Sequence, residues 1–345
     1  MFHDAITKRN DNVKLFHLDE RLKKLYGEPH EKTSQADIEN ELMSSAIEVK
    51  DLYVQYKTKK GEKLDAVQGL TFEVKKGEIV GFLGPNGAGK SSTLKALMGF
   101  VEAKSGEALV FGETAGTPEA RKRIGYLPEV AMYYPFLTPM ETLTMYGELQ
   151  GMRGRLLRNE IEDLLEVVGI AHAKNKLNRS MSKGMLQRVG IAQSLLGNPE
   201  LLVLDEVTSG LDPVGRKELR NLLKSRQEQG TTLFFSSHEL AEVDMLCDRI
   251  LLIHRGKFVE ERNMSELKAN LRNFYVTYRG DVSMLGLTEA WNENTDGSKT
   301  ARFEAKDGLV QAITRLQDKG GQILDVVSQE GSLEDYFIDT VEAAA

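Results

Sequence analysis

The chain has 345 residues, of which 41% are hydrophobic, and it carries a formal net charge of −7 at pH 7. This length suits one large domain with smaller appendages, and the composition is that of an ordinary globular protein. A general nucleic-acid binder presents a basic surface, so the acidic balance argues against that class, and we expect no nucleic-acid partner.

Hydropathy and cysteine content bound the compartment in which we expect the chain to work. No apolar run approaches the roughly 18–20 residues that span a bilayer. The beginning of the sequence lacks the apolar core of a signal peptide. Cys247 is the only cysteine, which excludes an intrachain disulfide. We therefore expect a cytoplasmic protein that reaches a membrane only through a partner.

Residues 1–45 form the first predicted segment, an N-terminal extension that is polar and charged. Four leucines recur at three- and four-residue spacing between positions 15 and 25, and this pattern predicts a short amphipathic helix. Gly27 and Pro29 end the helix, and a linker follows. Its apolar face would pack either on a partner or membrane surface or on the chain's own main domain, and the sequence leaves both interpretations open.

Residues 46–264 show alternating strand and helix patterns, which indicate an α/β domain. Short continuous apolar runs at 79–83, 201–204 and 231–235 are typical of parallel strands that are buried on both faces. Good helix formers at 94–98 follow the first of these runs. The pattern therefore predicts a mostly parallel sheet covered by helices.

The sequence pattern changes in the last segment, residues 265–345. One strand, a hairpin around the turn sequence NTDG, a helix, a further strand and a final helix are predicted there. We interpret this order as a small α+β domain, for which a ferredoxin-like arrangement is one candidate. The predicted elements span residues 274–278, 287–293, 299–305, 309–316, 323–327 and 333–341.

The sequence GPNGAGKSS lies directly after the predicted strand at 79–83. A glycine-rich turn between a strand and a helix, with the pattern GxxxxGK[ST], binds a nucleoside triphosphate. Its backbone N–H groups face the phosphates, and the positive end of the following helix adds to that field. Lys90 would reach the β- and γ-phosphates, and Ser91 would hold Mg²⁺. The predicted nucleotide-binding residues of this loop are Gly84, Pro85, Asn86, Gly87, Ala88, Gly89, Lys90, Ser91 and Ser92.

Two carboxylates directly follow the apolar run 201–204. Asp205, at the end of the strand, would hold Mg²⁺ through water, as the usual partner of a serine in the phosphate-binding loop. Glu206 would orient and polarise the attacking water. Two acids after a strand are a weak signal alone. Downstream of a phosphate-binding loop in the same domain, they indicate hydrolysis of the bound nucleotide.

The segment 181–185, which lies between these two motifs, reads Met-Ser-Lys-Gly-Met. It resembles the LSGGQ signature in the nucleotide-binding domain of ATP-binding cassette (ABC) proteins. Ser182 and Gly184 match that pattern, whereas Lys183 departs from it in a way that resembles a branch of bacterial exporters. The resemblance implies a P-loop NTPase fold with a RecA-like core and a helical subdomain. It also implies that Ser182, Lys183 and Gly184 contact ATP bound by a partner chain.

Further landmarks of the ABC family occur in the expected order. His238 corresponds to the switch histidine that hydrogen-bonds the γ-phosphate. Tyr56 corresponds to the aromatic residue that stacks on adenine, with Tyr53 as the alternative, and either ring could instead be a strand residue packed on the core. Val207 replaces a proline that the family often has. The D-loop, which crosses the dimer interface in the family, corresponds to Ser209, Gly210, Leu211 and Asp212.

Glu129 lies where most of the family has the glutamine of the Q-loop. Because both side chains can bind Mg²⁺ or a water molecule, the metal-binding role can survive the exchange. The aromatic cluster at 133–136 follows, and it would either receive a coupling helix of a membrane subunit or fill the core of the helical subdomain. The predicted metal-binding residues are therefore Ser91, Glu129 and Asp205.

The resemblance implies the ATPase subunit of a type-2 ABC exporter, with ATP and Mg²⁺ as its ligands. Lys90, Glu206 and His238 would be the catalytic residues. Two copies, or two paired ABC ATPase chains, would form a head-to-tail dimer with ATP at the interface. Closing and reopening of this dimer would drive an integral membrane permease, so the chain would lie peripherally on the cytoplasmic face of the cell membrane.

Two other interpretations of the same motifs stay open at this point. One is a soluble ABC ATPase of cofactor assembly, against which the Lys183 variant of the signature and the C-terminal segment both argue. The other is a regulatory adaptor that binds ATP without hydrolysing it. The joint presence of Lys90, Asp205, Glu206 and His238 argues against the adaptor.

Overall fold

The computed structural model describes residues 45–57, 61–130, 132–280, 291–303 and 306–344. The chain divides into two units, with the boundary between Glu261 and Arg262. The predicted amphipathic helix of the N-terminal extension lies outside the described residues. Within the described residues, no helix combines the length and the apolar character that crossing a membrane requires.

The first unit contains both strands and helices. Its last strand continues past the boundary by two residues. In chain order, the elements are β1 (Ser45–Lys57), β2 (Lys63–Lys75), β3 (Ile79–Leu83), α1 (Lys90–Leu97), β4 (Ser105–Val110), β5 (Glu113–Thr114), α2 (Pro118–Lys122), β6 (Ile124–Leu127), α3 (Pro139–Leu149), α4 (Gly154–Val167), α5 (Lys183–Leu195), β7 (Leu201–Asp205), α6 (Pro213–Glu228), β8 (Thr232–Ser237), α7 (Leu240–Leu246), β9 (Arg249–His254) and β10 (Lys257–Asn263).

A six-stranded sheet with the order β10-β9-β3-β8-β7-β6 forms the centre of this unit. Strand β3 is parallel to β8 and β9, and β7 is parallel to β6 and β8. Every residue of β3, β7 and β8 is buried, which explains their continuous apolar sequences. Because these three strands run in the same direction, the residues that follow them meet at one edge of the sheet.

A four-stranded sheet with the order β2-β1-β4-β5, antiparallel throughout, packs over the parallel sheet. The rings of Phe72, Phe82 and Phe234 meet in the core between the two sheets, with centroids 5.2 to 5.7 Å apart. Helix α1 buries Leu94 and Leu97 in the same core. The sequence predicted simple alternation of strands and helices here, and this antiparallel layer is a correction to that expectation.

Helices α3, α4 and α5 form the helical part of the first unit and pack against one another. Thr138 caps α3, and its hydroxyl and the Glu141 carboxylate each accept a hydrogen bond from the other residue's backbone N–H. Helix α4 turns one apolar stripe inward, at the i, i+4 and i+7 spacing of an amphipathic helix. The buried residues of that stripe are Leu157, Ile161, Leu164 and Leu165.

The second unit contains one four-stranded antiparallel sheet with the order β12-β13-β11-β14. Numbered along the chain from β11, this order is 2-3-1-4, and it agrees with the ferredoxin-like candidate. The connection 281–290, which would carry the first helix of that arrangement, lies outside the described residues. The elements are α8 (Met264–Leu271), β11 (Arg272–Arg279), β12 (Trp291–Glu293), β13 (Lys299–Phe303), α9 (Lys306–Asp318), β14 (Gln322–Glu330) and α10 (Leu333–Ala343).

Helix α9 covers one face of this small sheet. Val276 and Tyr278 of β11 are fully buried there, together with Phe303 of β13 and Leu316 of α9. The second unit therefore has its own hydrophobic core, as an independent domain requires.

Candidate active site

The loop after β3 is shaped by glycines that no other residue could replace. Gly89 has a φ of +107°, and a Cβ atom on it would lie 2.5 Å from the backbone oxygen of Ala66. A Cβ atom on Gly84 would lie 2.3 Å from the backbone oxygen of Ile253. Both distances are shorter than a van der Waals contact, so strands β2 and β9 press on the loop from two sides. Its exposed turn is consequently fixed in place.

Lys90 is the first residue of α1 and is only 7% exposed. Its ammonium group donates hydrogen bonds to the backbone oxygens of Gly84 at 2.6 Å and Pro85 at 3.4 Å. Burial lowers the pKa of Lys90, and the charges of Glu206, Asp205 and Glu129 partly oppose this effect. The lysine is thus held against its own loop, with three carboxylates in electrostatic range.

Asp205 ends β7 and is 3% exposed. The Ser236 hydroxyl on the neighbouring strand β8 donates a short hydrogen bond to its Oδ1. Burial, with a contribution from the Asp205 charge, raises the pKa of Tyr126 to about 12. A buried carboxylate with a fixed hydroxyl donor keeps its position, and the described residues form no hydrogen bond with its second oxygen.

Glu206 follows Asp205 and has a positive φ of +52°. A non-glycine residue in this region costs on the order of 1–3 kcal/mol, and such strain is found mainly at functional sites. Its backbone N–H donates to the backbone oxygen of Ser236 at 3.2 Å. Its Oε2 lies 2.6 Å from Nδ1 of His238. The strained backbone therefore turns the carboxylate toward the histidine.

Burial is the main cause of the raised pKa of the Glu206 carboxyl. The charge of His238 and its hydrogen bond oppose the rise, as does the Lys90 charge, whereas Asp205 adds to it. A carboxylate whose pKa is raised by desolvation is a better proton acceptor than an exposed one, provided that it is still ionised at the working pH. Glu206 fits the requirements for a general base.

His238 follows β8, and its side chain is 62% exposed. Two contacts just beyond it fix its position. The backbone N–H of Glu239 donates to the Ser237 hydroxyl at 2.9 Å, and the Glu239 carboxylate forms a short ion pair with Arg216 of α6. The backbone next to the histidine is therefore fixed, and its ring is largely exposed.

Residues 182–184 lie at the start of α5. Ser182 caps the helix by accepting a hydrogen bond from the backbone N–H of Met185 at 3.2 Å. Lys183 donates to the Ser209 hydroxyl at 3.1 Å. Ser182 and Lys183 are exposed. Their described contacts lie with α5 and with the predicted D-loop, not with residues 84–92.

The predicted D-loop connects Glu206 to α6 as two tight turns. The backbone N–H of Ser209 donates to the oxygen of Glu206 at 3.1 Å, and that of Leu211 donates to the oxygen of Thr208 at 3.2 Å. Asp212 caps α6 by accepting from the N–H of Gly215 at 3.0 Å.

Tyr56, one of the two tyrosines considered for adenine stacking, lies on β1. It pairs with Leu64 of β2, two residues from Ala66, whose backbone oxygen presses on Gly89. Its ring is also partly packed on the core, so the core interpretation holds for part of its surface. The Tyr53 hydroxyl instead lies 2.9 Å from the place of a Cβ atom on Gly69 and covers β2.

The aromatic side chains after β6 differ in burial. Tyr133 packs edge-on against Tyr146 of α3, with a centroid distance of 6.4 Å, and burial raises its pKa. Tyr134 and Phe136 stack on each other at 5.5 Å and are 55% and 64% exposed. Glu129 is exposed too. The core interpretation therefore fits Tyr133, whereas Tyr134 and Phe136 are left exposed.

The sequence analysis missed Ser236 and Arg216. Ser236 stands opposite Asp205 in the parallel register of β7 and β8, so it bonds both acids of the site. The two serines directly after the predicted strand at 231–235 were the available signal, because parallel strands end at the same edge. Nothing in the sequence near Arg216 indicates its pairing with Glu239.

A glycine-rich loop after one parallel strand, two acids after a second and a histidine after a third define a P-loop nucleoside triphosphatase. Comparison with known proteins agrees. The sequence model described as ABC transporter matches residues 67–209. The bacitracin transport ATP-binding protein BcrA of Bacillus licheniformis is 37% identical over 87% of this chain and 98% of its own length.

A fluoroquinolones export ATP-binding protein of Mycobacterium tuberculosis is 35% identical over 79% of this chain and 87% of its own length. A solved dimeric structure of a bacterial ABC transporter cassette is 25% identical, with a TM-score of 0.59, and covers 63% of this chain and 98% of its own. The chain therefore belongs to the ABC transporter family and is one of its ATP-binding, ATP-hydrolysing subunits.

Proposed function

We propose that this chain is the ATPase subunit of an ABC exporter, which dimerises around ATP and drives a separate membrane permease. The observation that carries the proposal is the cluster of charged and polar side chains at the edge of the parallel sheet. There, Lys90 and Asp205 lie within electrostatic range of Glu206, and Glu206 binds His238. Such a cluster has the parts that phosphoryl transfer to water needs.

The roles of these residues follow from their chemistry. Lys90 would exchange its bonds to its own loop carbonyls for bonds to the β- and γ-phosphates of ATP. Glu206 would take a proton from the attacking water, and His238, with its exposed ring, would hydrogen-bond the γ-phosphate. Backbone N–H groups of residues 84–92 would bind the phosphate oxygens at the start of α1. Tyr56 would stack on adenine.

The residues also fit Mg²⁺, which when bound neutralises charge on the β- and γ-phosphates. Among the described residues, no group of three or more His, Cys, Asp or Glu side chains could hold a metal ion. Mg²⁺ does not need such a group, since it is bound by one or two carboxylates plus substrate phosphates and water. The free oxygen of Asp205 and the hydroxyl of Ser91 are hard donors of this kind, and Glu129 is the exposed third candidate.

Dimerisation is supported by the exposure of signature residues at the start of α5 in a single chain. Ser182 and Lys183 are exposed at a helix start, and their described side-chain hydrogen bonds go to Met185 and Ser209. A twofold dimer would place Ser182 and Gly184 against the nucleotide of the partner. Binding of ATP between two chains then favours the closed dimer, and hydrolysis reopens it. The dimeric form of the related cassette supports this arrangement.

An exposed apolar surface supports a membrane partner. Val130, Met132, Tyr134 and Phe136 are 69%, 87%, 55% and 64% exposed, respectively, just after the Glu129 position. Several large apolar side chains exposed within one short segment are typical of an interaction surface. The relatives named for bacitracin transport and fluoroquinolone export support a permease as the partner and export as the direction. The chain would accordingly lie on the cytoplasmic face of the membrane.

Neither a regulatory adaptor nor a cofactor-assembly ATPase is favoured. An adaptor would not need a strained Glu206 aimed at a histidine, and the relatives belong to transporters.

The residue assignment can be tested by mixing two inactive chains. Lys90→Ala disables the loop after β3, and Ser182→Arg disables the start of α5. If each site combines the two elements from different chains, the mixture contains dimers with one intact site, and phosphate release returns. If the elements combine within one chain, no mixture is active. A matched control mixes Lys90→Ala with the double variant, which has no intact site in any pairing.

The membrane partner can be tested by co-purification from native membranes. Tagged Glu206→Gln with MgATP in mild detergent should retain a multi-span membrane protein in a fixed ratio. A soluble partner, or none, would contradict the exporter proposal. Replacing Met132 and Phe136 by serine should release the membrane protein without changing ATP binding.

A further inference from the structure

Lys183 stands at a position where a cation is unfavourable. It is the first helical residue of α5, directly after the Ser182 cap. The positive end of the helix dipole repels a positive charge there. No carboxylate among the described residues pairs with its ammonium group, which instead donates a hydrogen bond to the neutral Ser209 hydroxyl at 3.1 Å. Since helix stability does not explain the lysine, its contact with Ser209 is the feature to explain.

The stem of Lys183 covers the next residue of the same loop. Gly210 has a φ of +79°, and a Cβ atom on it would lie 3.0 Å from each of the Cγ, Cδ and Cε atoms of Lys183. From the other side, a Cβ atom on Gly184 would lie 2.9 Å from the backbone oxygen of Gly210. The loop and the start of α5 are therefore in close contact through both side chain and backbone.

Helix α5 also contacts the segment after Glu206 farther from its N-terminus. Gln187, one turn further along α5, donates to the backbone oxygen of Val207 at 2.8 Å, and this bond is buried. Arg188 forms an ion pair with Glu218 of α6 at 2.9 Å. Helix α5 thus holds the segment after Glu206 at Val207 and at α6, and Lys183 supplies the attachment at Ser209, between the other two.

We propose that Lys183 is a positioning residue that fixes the loop 209–212 against the start of α5. Because Ser209 is bonded back to the backbone of Glu206 at 3.1 Å, this attachment also steadies the turn that carries the general base. A glycine at position 183, as in the LSGGQ pattern, has no side chain to make the contact. The inference deepens the proposed function and rests on it for its catalytic consequence, although the attachment itself is a property of the single chain.

Hydrogen exchange of the nucleotide-free protein tests the attachment without any reference to hydrolysis. Lys183→Met keeps the stem and removes the ammonium group. The exchange rates of the Ser209 and Leu211 amides should rise by about fivefold to tenfold, the range for losing one hydrogen bond. The control Lys224→Met removes an exposed lysine of α6 and should leave both rates unchanged. Unchanged rates in Lys183→Met would overturn the proposal.

Steady-state phosphate release tests the catalytic consequence. Lys183→Met and Ser209→Ala should each lower kcat by about fivefold with an unchanged KM for ATP, and the double variant should fall no further than either single one, since both remove one hydrogen bond. Lys183→Arg should restore most of kcat. Additive losses would overturn the inference. A raised KM at unchanged kcat would do so too, because it would place Lys183 on the nucleotide. Absence of hydrolysis in the unmodified chain would contradict the proposed function, and the exchange result would still decide the attachment.

Discussion

The loop 84–92 and the start of α5 both present a helix N-terminus, yet one chain builds them to different degrees. Lys90, behind the loop, is 7% exposed and bonded to two backbone carbonyls, and buried carboxylates lie within electrostatic range. Ser182, at α5, is exposed and has a single described side-chain bond, to its own helix. The loop region is therefore held by contacts within the chain, whereas the start of α5 leaves Ser182 exposed to contact from another chain.

This difference indicates where the binding energy of ATP would be used. A loop that is preformed and anchored by buried residues needs little reorganisation when a phosphate binds. An exposed helix start would contact a nucleotide only when a second chain covers it. We therefore expect variants at the loop to act on ATP binding by the single chain, and variants at α5 to act only on the closed dimer.

The largest effect should come from Glu206→Gln. Removing the proton acceptor should lower the rate of phosphate release at least about hundredfold, the usual contribution of a general base. ATP affinity should stay within about twofold, because the amide keeps the size and position of the carboxylate. Glu228→Gln, an exposed exchange at the end of α6, is the control. Normal turnover in Glu206→Gln would remove this residue from the mechanism.

Lys90→Ala should come next, through ATP binding. Loss of a charged donor to the phosphates should weaken the affinity of the single chain for ATP by about tenfold to hundredfold. Lys95→Ala, on the exposed side of the same helix, should bind ATP normally. Equilibrium binding of a fluorescent ATP analogue measures both. Equal affinities would mean that the loop after β3 is not the phosphate site.

Gly184→Ala should separate the two regions. Its new Cβ atom would lie 2.9 Å from the backbone oxygen of Gly210, so the start of α5 must shift by a few tenths of an ångström. Phosphate release should fall by roughly tenfold, and ATP affinity of the single chain should not change. A loss of affinity equal to the loss of rate would show that α5 belongs to the same half of the site as Lys90.

The smallest effect concerns stability and pH. Burial raises the pKa of Glu206 in the folded chain, so this carboxyl stabilises the fold only at low pH, and the contribution is lost as the pH rises through the folded pKa. At neutral pH, the ionised Glu206 carboxylate therefore lowers the free energy of unfolding. Glu206→Gln should raise the thermal midpoint by up to about 4 °C at neutral pH, and the gain should vanish toward about pH 4. A gain that is independent of pH would contradict this cause.

How much the sequence revealed also differs between regions. Lys90 was predicted from the glycine-rich motif, and Asp205 and Glu206 from their position after an apolar strand downstream of that motif. His238 was predicted from the resemblance to ABC proteins. Their meeting followed from the shared direction of parallel strands. Ser236 was missed because its role depends on the register of β7 with β8, which local patterns do not contain.

The antiparallel layer was missed for a related reason. The pairing of β1 with β2 shifts register between Val49 and Leu52, near Asp51 with its positive φ of +48°. Such an irregularity interrupts the alternation of buried and exposed residues by which a strand is predicted. In the second unit the hairpin of β12 with β13 was predicted from its turn sequence. The pairing of β11 with β13 and β14 was not read from local patterns, since it depends on contacts far apart in the sequence.

The central claim is that ATP joins the two halves of the site between two chains. The most direct test is the molar mass of Glu206→Gln by light scattering after size exclusion, with and without MgATP. The account predicts the mass of two chains with MgATP, the mass of one chain without it, and one chain again when Ser182→Arg is added. A single-chain mass in MgATP, with ATP shown to be bound, would contradict it.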